Sequence, residues 1–176
     1  VRFRSVDKDK NGTIDGSEWT KKLSELAAFR ASYKTHGILS IPVDSQGLLT
    51  GEEVTSLATR NIPEVPSPIA SDGYLYFVKN GGVLSVLDLN SGKTTTRVRT
   101  RGEGTHYASP IIADGKLFST AGDGTISVLS LGAKPKVLQV NSMGDRCYAT
   151  PACNDGVLYI RTHQRLYAFG FAASLP

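Results

Sequence analysis

Residues 7 to 18 read Asp7-Lys8-Asp9-Lys10-Asn11-Gly12-Thr13-Ile14-Asp15-Gly16-Ser17-Glu18, a run of oxygen donors at every second position. A hard divalent cation needs about six to eight oxygens around one point, and a short loop supplies them only at fixed spacing. Asp7, Asp9 and Asn11 offer side-chain oxygens at the first, third and fifth places, and Thr13 offers its backbone carbonyl at the seventh. Asp15 at the ninth place suits contact through a water, and Glu18 at the twelfth can bind with both carboxylate oxygens. Gly12 permits the sharp turn at the sixth place, and Ile14 supplies an apolar eighth. The chemistry that fits is calcium binding.

Such a loop works only between an entering and an exiting helix, and the pattern is that of an EF-hand. Downstream, Trp19, Leu23, Leu26, Ala27 and Phe29 fall at helical spacing and give the exiting helix an apolar stripe. Upstream, Phe3 and Val6 suit the last turn of an entering helix. No second loop follows. Asp44-Ser45-Gln46-Gly47 lacks the later carboxylates, so a partner hand lies upstream of Val1 or the site packs alone.

The other residues able to do chemistry are sparse. His36, His106 and His163 lie far apart, and no nucleophile elbow, Walker loop, GxGxxG or HExxH accompanies them. Cys147 and Cys153 form no CxxC and no zinc spacing; they flank the turn into the last repeat, where a disulfide is geometrically conceivable, and two buried, unbonded thiols are the default expectation. The net charge is +4, but the basic residues are scattered. Arg97, Arg99 and Arg101 alternate and fall on one solvated strand face. Nucleic-acid binding would need clustered basic side chains with interleaved aromatics, and none is expected. No stretch is long and apolar enough for a membrane helix. The start, Val-Arg-Phe-Arg-Ser, has neither an initiator Met nor a signal-peptide pattern and reads as the interior of a longer chain.

The remainder is organised by one phrase in three copies, at 67–76, 109–118 and 150–159: Ser/Thr-Pro, three small or apolar residues, Asp-Gly, a variable residue, Leu and an aromatic. Pro68, Pro110 and Pro151 fall 42 and 41 residues apart. A period near 40 with strand-like content predicts four-stranded propeller blades. Asp-Gly between apolar runs predicts a tight hairpin, and Pro suits the first residue of a strand. The first blade is expected at 67–100, with strands 67–71, 74–79, 83–88 and 94–100. The second is expected at 109–141, with strands 109–113, 116–121, 125–131 and 135–141. The third, at 150–169, shows only 150–153, 157–162 and 165–169. Strands at 37–43 and 54–60, joined through a turn at 48–53, read as half of another blade, and 171–176 as a tail.

These repeats, with Asp88-Leu89-Asn90-Ser91-Gly92-Lys93 as a signature turn, resemble pyrroloquinoline-quinone-type β-propeller repeats. Within that group they are similar to outer-membrane assembly lipoprotein-like propellers, some of which carry an EF-hand insertion before a strand like Gly37-Ile38-Leu39-Ser40-Ile41. The resemblance covers about residues 37–170, with the EF-hand at 1–29. It implies a ring of seven or eight blades, of which this chain is a C-terminal piece, and a periplasmic or secreted location. Two features depart from the family. The repeat's docking Trp is missing, since Trp19 is the chain's only one and Thr94-Thr95-Thr96-Arg97 stands in its place, so blades must dock through Leu, Val and Tyr. The paired cysteines and the metal-side Asp of the quinoprotein dehydrogenases are missing too, so the resemblance implies fold rather than quinone.

The expected fold class is all-β, a partial β-propeller of about three and a half blades with a small α-helical EF-hand unit at 1–36 and blades over 37–170. The expected function is a calcium-binding, non-catalytic scaffold presenting a face to a protein or envelope partner. The alternative is a fragment of a quinone-dependent oxidoreductase whose active site lies in other blades, so whether the whole protein is an enzyme stays open. His106, Tyr107, Arg146 and Tyr148, at the loops entering the inner strands, are the candidate binding face. Open blade faces imply completion by further chain or self-association.

Overall fold

The structure, a computed structural model, describes residues 3–32, 37–47 and 54–170, with the side chains at 4 and 28–32 set aside. His36, the Phe29 side chain, the expected turn at 48–53 and the tail 171–176 therefore lie outside the described residues. The chain falls into two compact units, Val1–Thr59 and Arg60–Pro176.

The first unit opens with a single 3-10 turn, Phe3–Ser5, and the loop then leads into helix α1, Gly16–Ser32. Trp19 and Leu23 of the expected apolar stripe are exposed, so the stripe is present as spacing but forms no core. Strands β1 (Ile38–Ser40) and β2 (Thr55–Ala58) pair antiparallel and complete this unit. This hairpin falls within the same compact unit as the loop and helix.

The second unit consists of three successive antiparallel meanders. The first is β3 (Ile69–Ser71), β4 (Tyr74–Lys79), β5 (Val83–Asp88) and β6 (Lys93–Arg99). The second is β7 (Ile111–Ala113), β8 (Lys116–Thr120), β9 (Thr125–Ser130) and β10 (Val137–Ser142). The third has, among the described residues, only β11 (Ala152–Asn154), β12 (Val157–Arg161) and β13 (Leu166–Phe169). Strand order follows sequence order in each sheet, as in propeller blades. The protein is an all-β partial propeller with, among the described residues, one α-helix.

Each Asp-Gly does what the turn requires. Asp72 and Gly73 have φ of 50° and 79°, Asp114 and Gly115 46° and 63°, and Asp155 and Gly156 48° and 77°. Two successive positive φ values define the hairpin turn whose twist matches the flanking strands. β4 and β5 are buried at all four interior positions and, Ser85 apart, those positions are apolar rather than alternating.

The blades stack face to face. Tyr76, Val78, Leu84 and Val86 of the first pack on Leu117 and Leu129 of the second. Ile126 and Phe118 of the second pack on Ile160 and Leu158 of the third, with Cys147 and Met143 from the linking segment. Aliphatic and tyrosine packing thus takes the place of the missing Trp. The Tyr76 hydroxyl also accepts the Gly132 N–H at 2.8 Å, tying the first blade to the outer turn of the second.

The Ser/Thr that opens each repeat has a use the sequence did not disclose. The Ser67 N–H donates to Ser109 Oγ at 2.9 Å, and the Ser109 N–H donates to Thr150 Oγ1 at 2.9 Å. The hydroxyl of the second copy and that of the third are thus each the acceptor for the copy before. Among the cysteines, Cys147 is buried and free, its thiol donating to the Arg161 carbonyl at 3.1 Å. Cys153 is free but exposed, which corrects the expectation of two buried thiols. It lies on β11, a first strand at the blade margin, where a residue type that is usually buried gains little cover.

Two glycines separate backbone strain from close approach. Gly81 (φ 82°) faces open space, whereas a Cβ on Gly124 (φ 87°) would run into the Asp145 carbonyl oxygen. Gly81→Ala should therefore cost about 1 kcal/mol, the left-handed penalty alone. Gly124→Ala should cost on the order of 3 kcal/mol, because the turn must also move. Urea midpoints of the two variants check the ranking; equal losses would contradict it.

Candidate functional site

The 7–18 loop is built from its own hydrogen bonds. Asp15 caps α1: its Oδ1 accepts the Glu18 N–H at 2.8 Å and the Ser17 hydroxyl at 2.8 Å. Glu18 answers by accepting the Asp15 N–H through Oε2 at 3.2 Å, a reciprocal capping box. The Glu18 N–H first, and then the Ser17 hydroxyl, hold the Asp15 carboxyl below its ordinary value. Glu18 Oε1 also accepts from the N–H of Lys8 at 2.6 Å. One carboxylate thus closes the loop's two ends onto each other.

Within the loop, Gly12 (φ 84°) and Lys10 (φ 60°) make the reversal. Asp7 Oδ2 accepts the Gly12 N–H at 3.1 Å. Asp9 accepts the Asn11 N–H at 3.1 Å and its side-chain amide at 2.8 Å, while Asn11 Oδ1 accepts from the Thr13 N–H at 2.8 Å.

Asp7, Asp9 and Glu18 each bring a carboxylate oxygen within 4.8 Å of the others, the one such cluster among the described residues. Asp7 is only 8% exposed, and its Oδ1 is buried without a hydrogen-bond partner. A buried carboxylate oxygen with no donor is costly, and three converging carboxylates repel one another. A cation would relieve both costs, and the donor set, all oxygen, suits a hard one. A cavity of about 300 Å³ beside Asp9, Asp15 and Glu18 gives access from solvent. Of the six residues expected as ligands, three converge directly. Asn11 and Thr13 are linked to them through Asp9, and Asp15 is turned to the helix cap. The capping box was readable in advance, since Asp15 and Glu18 stand three apart before a helical run.

The expected binding face divides. Tyr107 and Tyr148 are exposed at equivalent places in adjacent blades, their ring centroids 5.9 Å apart. Arg146 is exposed, and its carbonyl accepts the His163 N–H at 2.8 Å, which joins the linking segment to the turn of the third blade. Gly122 lies under the Tyr148 ring, where any Cβ would crowd it. His106, however, is 1% exposed and belongs to the framework. Its Nε2 lies 3.2 Å from Thr100 Oγ1, its Nδ1 3.3 Å from the Gly104 carbonyl, and its N–H donates to Asn80 Oδ1 at 2.7 Å. The carbonyl partner assigns the proton to Nδ1. Spacing showed where His106 sits in the repeat but not that the neighbouring blade would cover it.

Burial, more than any charge nearby, pushes the His106 imidazole below its ordinary value of 6.5, against the opposing pull of the Gly104 carbonyl and Asp123. Below that value the unfolded chain binds a proton that the folded chain refuses. The stability contributed by a neutral His106 is therefore full above 6.5 and lost as the pH falls below it. Urea midpoints between about pH 7.5 and about pH 5 should fall for the wild type and fall less for His106→Gln. Parallel profiles would remove His106 as the source.

No known protein family matches the chain, and no curated protein does. Among solved structures, BamB from Moraxella catarrhalis superposes with a TM-score of 0.51 at 23% identity, over 69% of this chain and 37% of that one. The chain thus spans little more than a third of that protein's length. The computationally designed Ika8 protein matches at a TM-score of 0.47 and 16% identity, over 59% of this chain and 32% of that one. The quinohemoprotein alcohol dehydrogenase of Comamonas testosteroni matches at 0.44 and 18%, over 56% and 17%. The likeness to BamB is one of fold, that of a β-propeller.

Proposed function

We propose that this chain is a calcium-binding, non-catalytic propeller module that offers its blade face to a protein partner of the cell envelope. The observation that carries the calcium reading is the buried, unpartnered Asp7 Oδ1 beside the Asp9 and Glu18 carboxylates. Asp7, Asp9, Asn11, the Thr13 carbonyl, Asp15 and Glu18 would hold the ion. When bound it supplies positive charge to a cluster that otherwise repels itself. Its role is ordering: Glu18 belongs to both the cluster and the helix cap, so the residues that hold the ion also fix the start of α1.

The interaction face is the Tyr107–Tyr148 pair with Arg146 beside it. Exposed aromatic rings and arginine are the side chains that most often anchor protein partners. A periplasmic or secreted location is supported by the repeat resemblance. No helix among the described residues is long and apolar enough to cross a membrane.

Calorimetric titration of the full chain with calcium should show one binding event, weakened about tenfold or more in Glu18→Gln and in Asp9→Asn. Asp9 lies outside the helix cap, and its removal relieves repulsion in the empty cluster, so Asp9→Asn should not lower the melting temperature in chelator. At a hundredfold excess over Kd, calcium should stabilise the wild type by about 2.7 kcal/mol, a rise of several degrees in Tm. No heat of binding, together with identical melting in calcium and in chelator, would overturn the calcium reading.

A further inference from the structure

Glu18, Lys21, Lys22 and Glu25 stand at helical spacing on α1, so the face that starts at the ion cluster continues as a charged one. This face and the loop enclose the cavity of about 300 Å³ beside the cluster. Asp9, Asp15 and Glu18 form one part of its lining, and Lys8, Lys21 and Lys22 another. Lys22 donates to Glu25 at 3.1 Å, whereas no carboxylate among the described residues pairs with Lys8 or Lys21. The hydrogen bond and charge of Lys22, and then the charges of Lys8 and Lys21, hold the Glu25 carboxyl below its ordinary value. Three ammonium groups therefore act on one small region next to the carboxylate cluster.

Exposed lysines rest comfortably in water, so their charge alone selects nothing. The neighbouring cluster changes that. In the empty cavity the carboxylates of Asp9, Asp15, Glu18 and Glu25 outnumber the three lysines, and an anion is repelled. A bound dication reverses the sign. Asp15 is engaged by the Ser17 hydroxyl and the Glu18 N–H, which leaves the loop's ninth place to an exchangeable ligand on the side of this cavity.

We propose that the cavity is a calcium-dependent site for a phosphate monoester, whose oxygens are shared between the bound ion and the ammonium groups of Lys8 and Lys21. This rests on the calcium reading above. A carboxylate brings one charge and two oxygens, whereas a phosphate monoester brings close to two charges and three strong acceptors, enough for one hard cation and two lysines. The volume lies at the lower end of ligand pockets, and the lining holds no aromatic ring to stack a base. The fit is to a phosphoryl group on a short stem rather than to a nucleotide. Each ligand must then raise the affinity for the other by the same factor.

The test titrates the full chain with calcium by calorimetry, with and without glycerol 3-phosphate, after subtraction of blanks for the complex these two form in solution. The ester should tighten calcium binding about fivefold or more, and chelator should abolish binding of the ester itself. The double variant Lys8→Gln/Lys21→Gln alters two exposed side chains, and its urea midpoint checks its folding. It should bind calcium alone no more weakly than the wild type, since it removes positive charge beside the carboxylates, yet lose the enhancement. Vesicles containing phosphatidic acid, sedimented with the chain in calcium and in chelator, separate the two sources of the phosphate. Co-sedimentation that needs calcium and both lysines, with no effect of glycerol 3-phosphate, makes a lipid headgroup the carrier. Calcium binding that ester and vesicles both leave unchanged, or an equal enhancement in the double variant, overturns the proposal and leaves the calcium reading standing. So does ester binding that persists in chelator. No calcium heat under either condition overturns the calcium reading, and this proposal with it.

Discussion

The second unit rests on one requirement: each blade must bury both faces of its two middle strands. β4 and β5 show it most fully, with every interior residue withdrawn from water. A four-stranded sheet cannot meet that requirement alone, because it has only its own thickness to hide behind. Stacking meets it. The interfaces at Tyr76–Leu129 and Ile126–Ile160 then fix where every turn and linking segment must run. Even the polar bonds between blades, from Tyr76 to Gly132 and from Ser67 to Ser109, follow from the closeness that apolar burial enforces.

Much of this was legible in the sequence, for physical reasons. Asp-Gly between apolar runs admits few backbone solutions, so Asp72, Asp114 and Asp155 located three hairpins within a residue or two. The strand ends on either side followed. The oxygen spacing at 7–18 was legible because a loop that must surround a point has little freedom in where its donors stand. Legibility failed where the answer depended on another blade. His106 and Tyr107 are neighbours in the chain, yet one is buried and the other exposed. Cys147 and Cys153 divide in the same way. No local pattern separates the members of either pair, because covering residues come from other blades: Asn80 and Gly82 against His106, Ile126 and Ile160 against Cys147.

The Ser/Thr of the repeat shows an intermediate case. Its recurrence before Pro was plain, and Pro explains the strand start, but the hydroxyl's role emerges only from the next copy. Ser109 both donates through its backbone and accepts through its side chain, one bond to each neighbour. Such a residue sets spacing between blades, where apolar contact alone would tolerate sliding. Glu18 plays a comparable part in the first unit: its two oxygens fasten the start of the loop to the start of the helix.

Neighbour-only stacking also shapes how the chain acquires its form. Each meander closes through turns of a few residues, whereas blade-to-blade bonds such as Ser67–Ser109 span 42 positions. Local hairpins therefore pay little loop entropy, while docking pays more and cannot begin until two meanders exist. Assembly of this kind behaves as a one-dimensional chain of coupled units, in which order spreads across interfaces and a fault in one blade is felt mainly by its neighbours. The middle blade, with a partner on each side, is the coupling element. Weakening its faces would uncouple the first blade from the third, turning one cooperative transition into two.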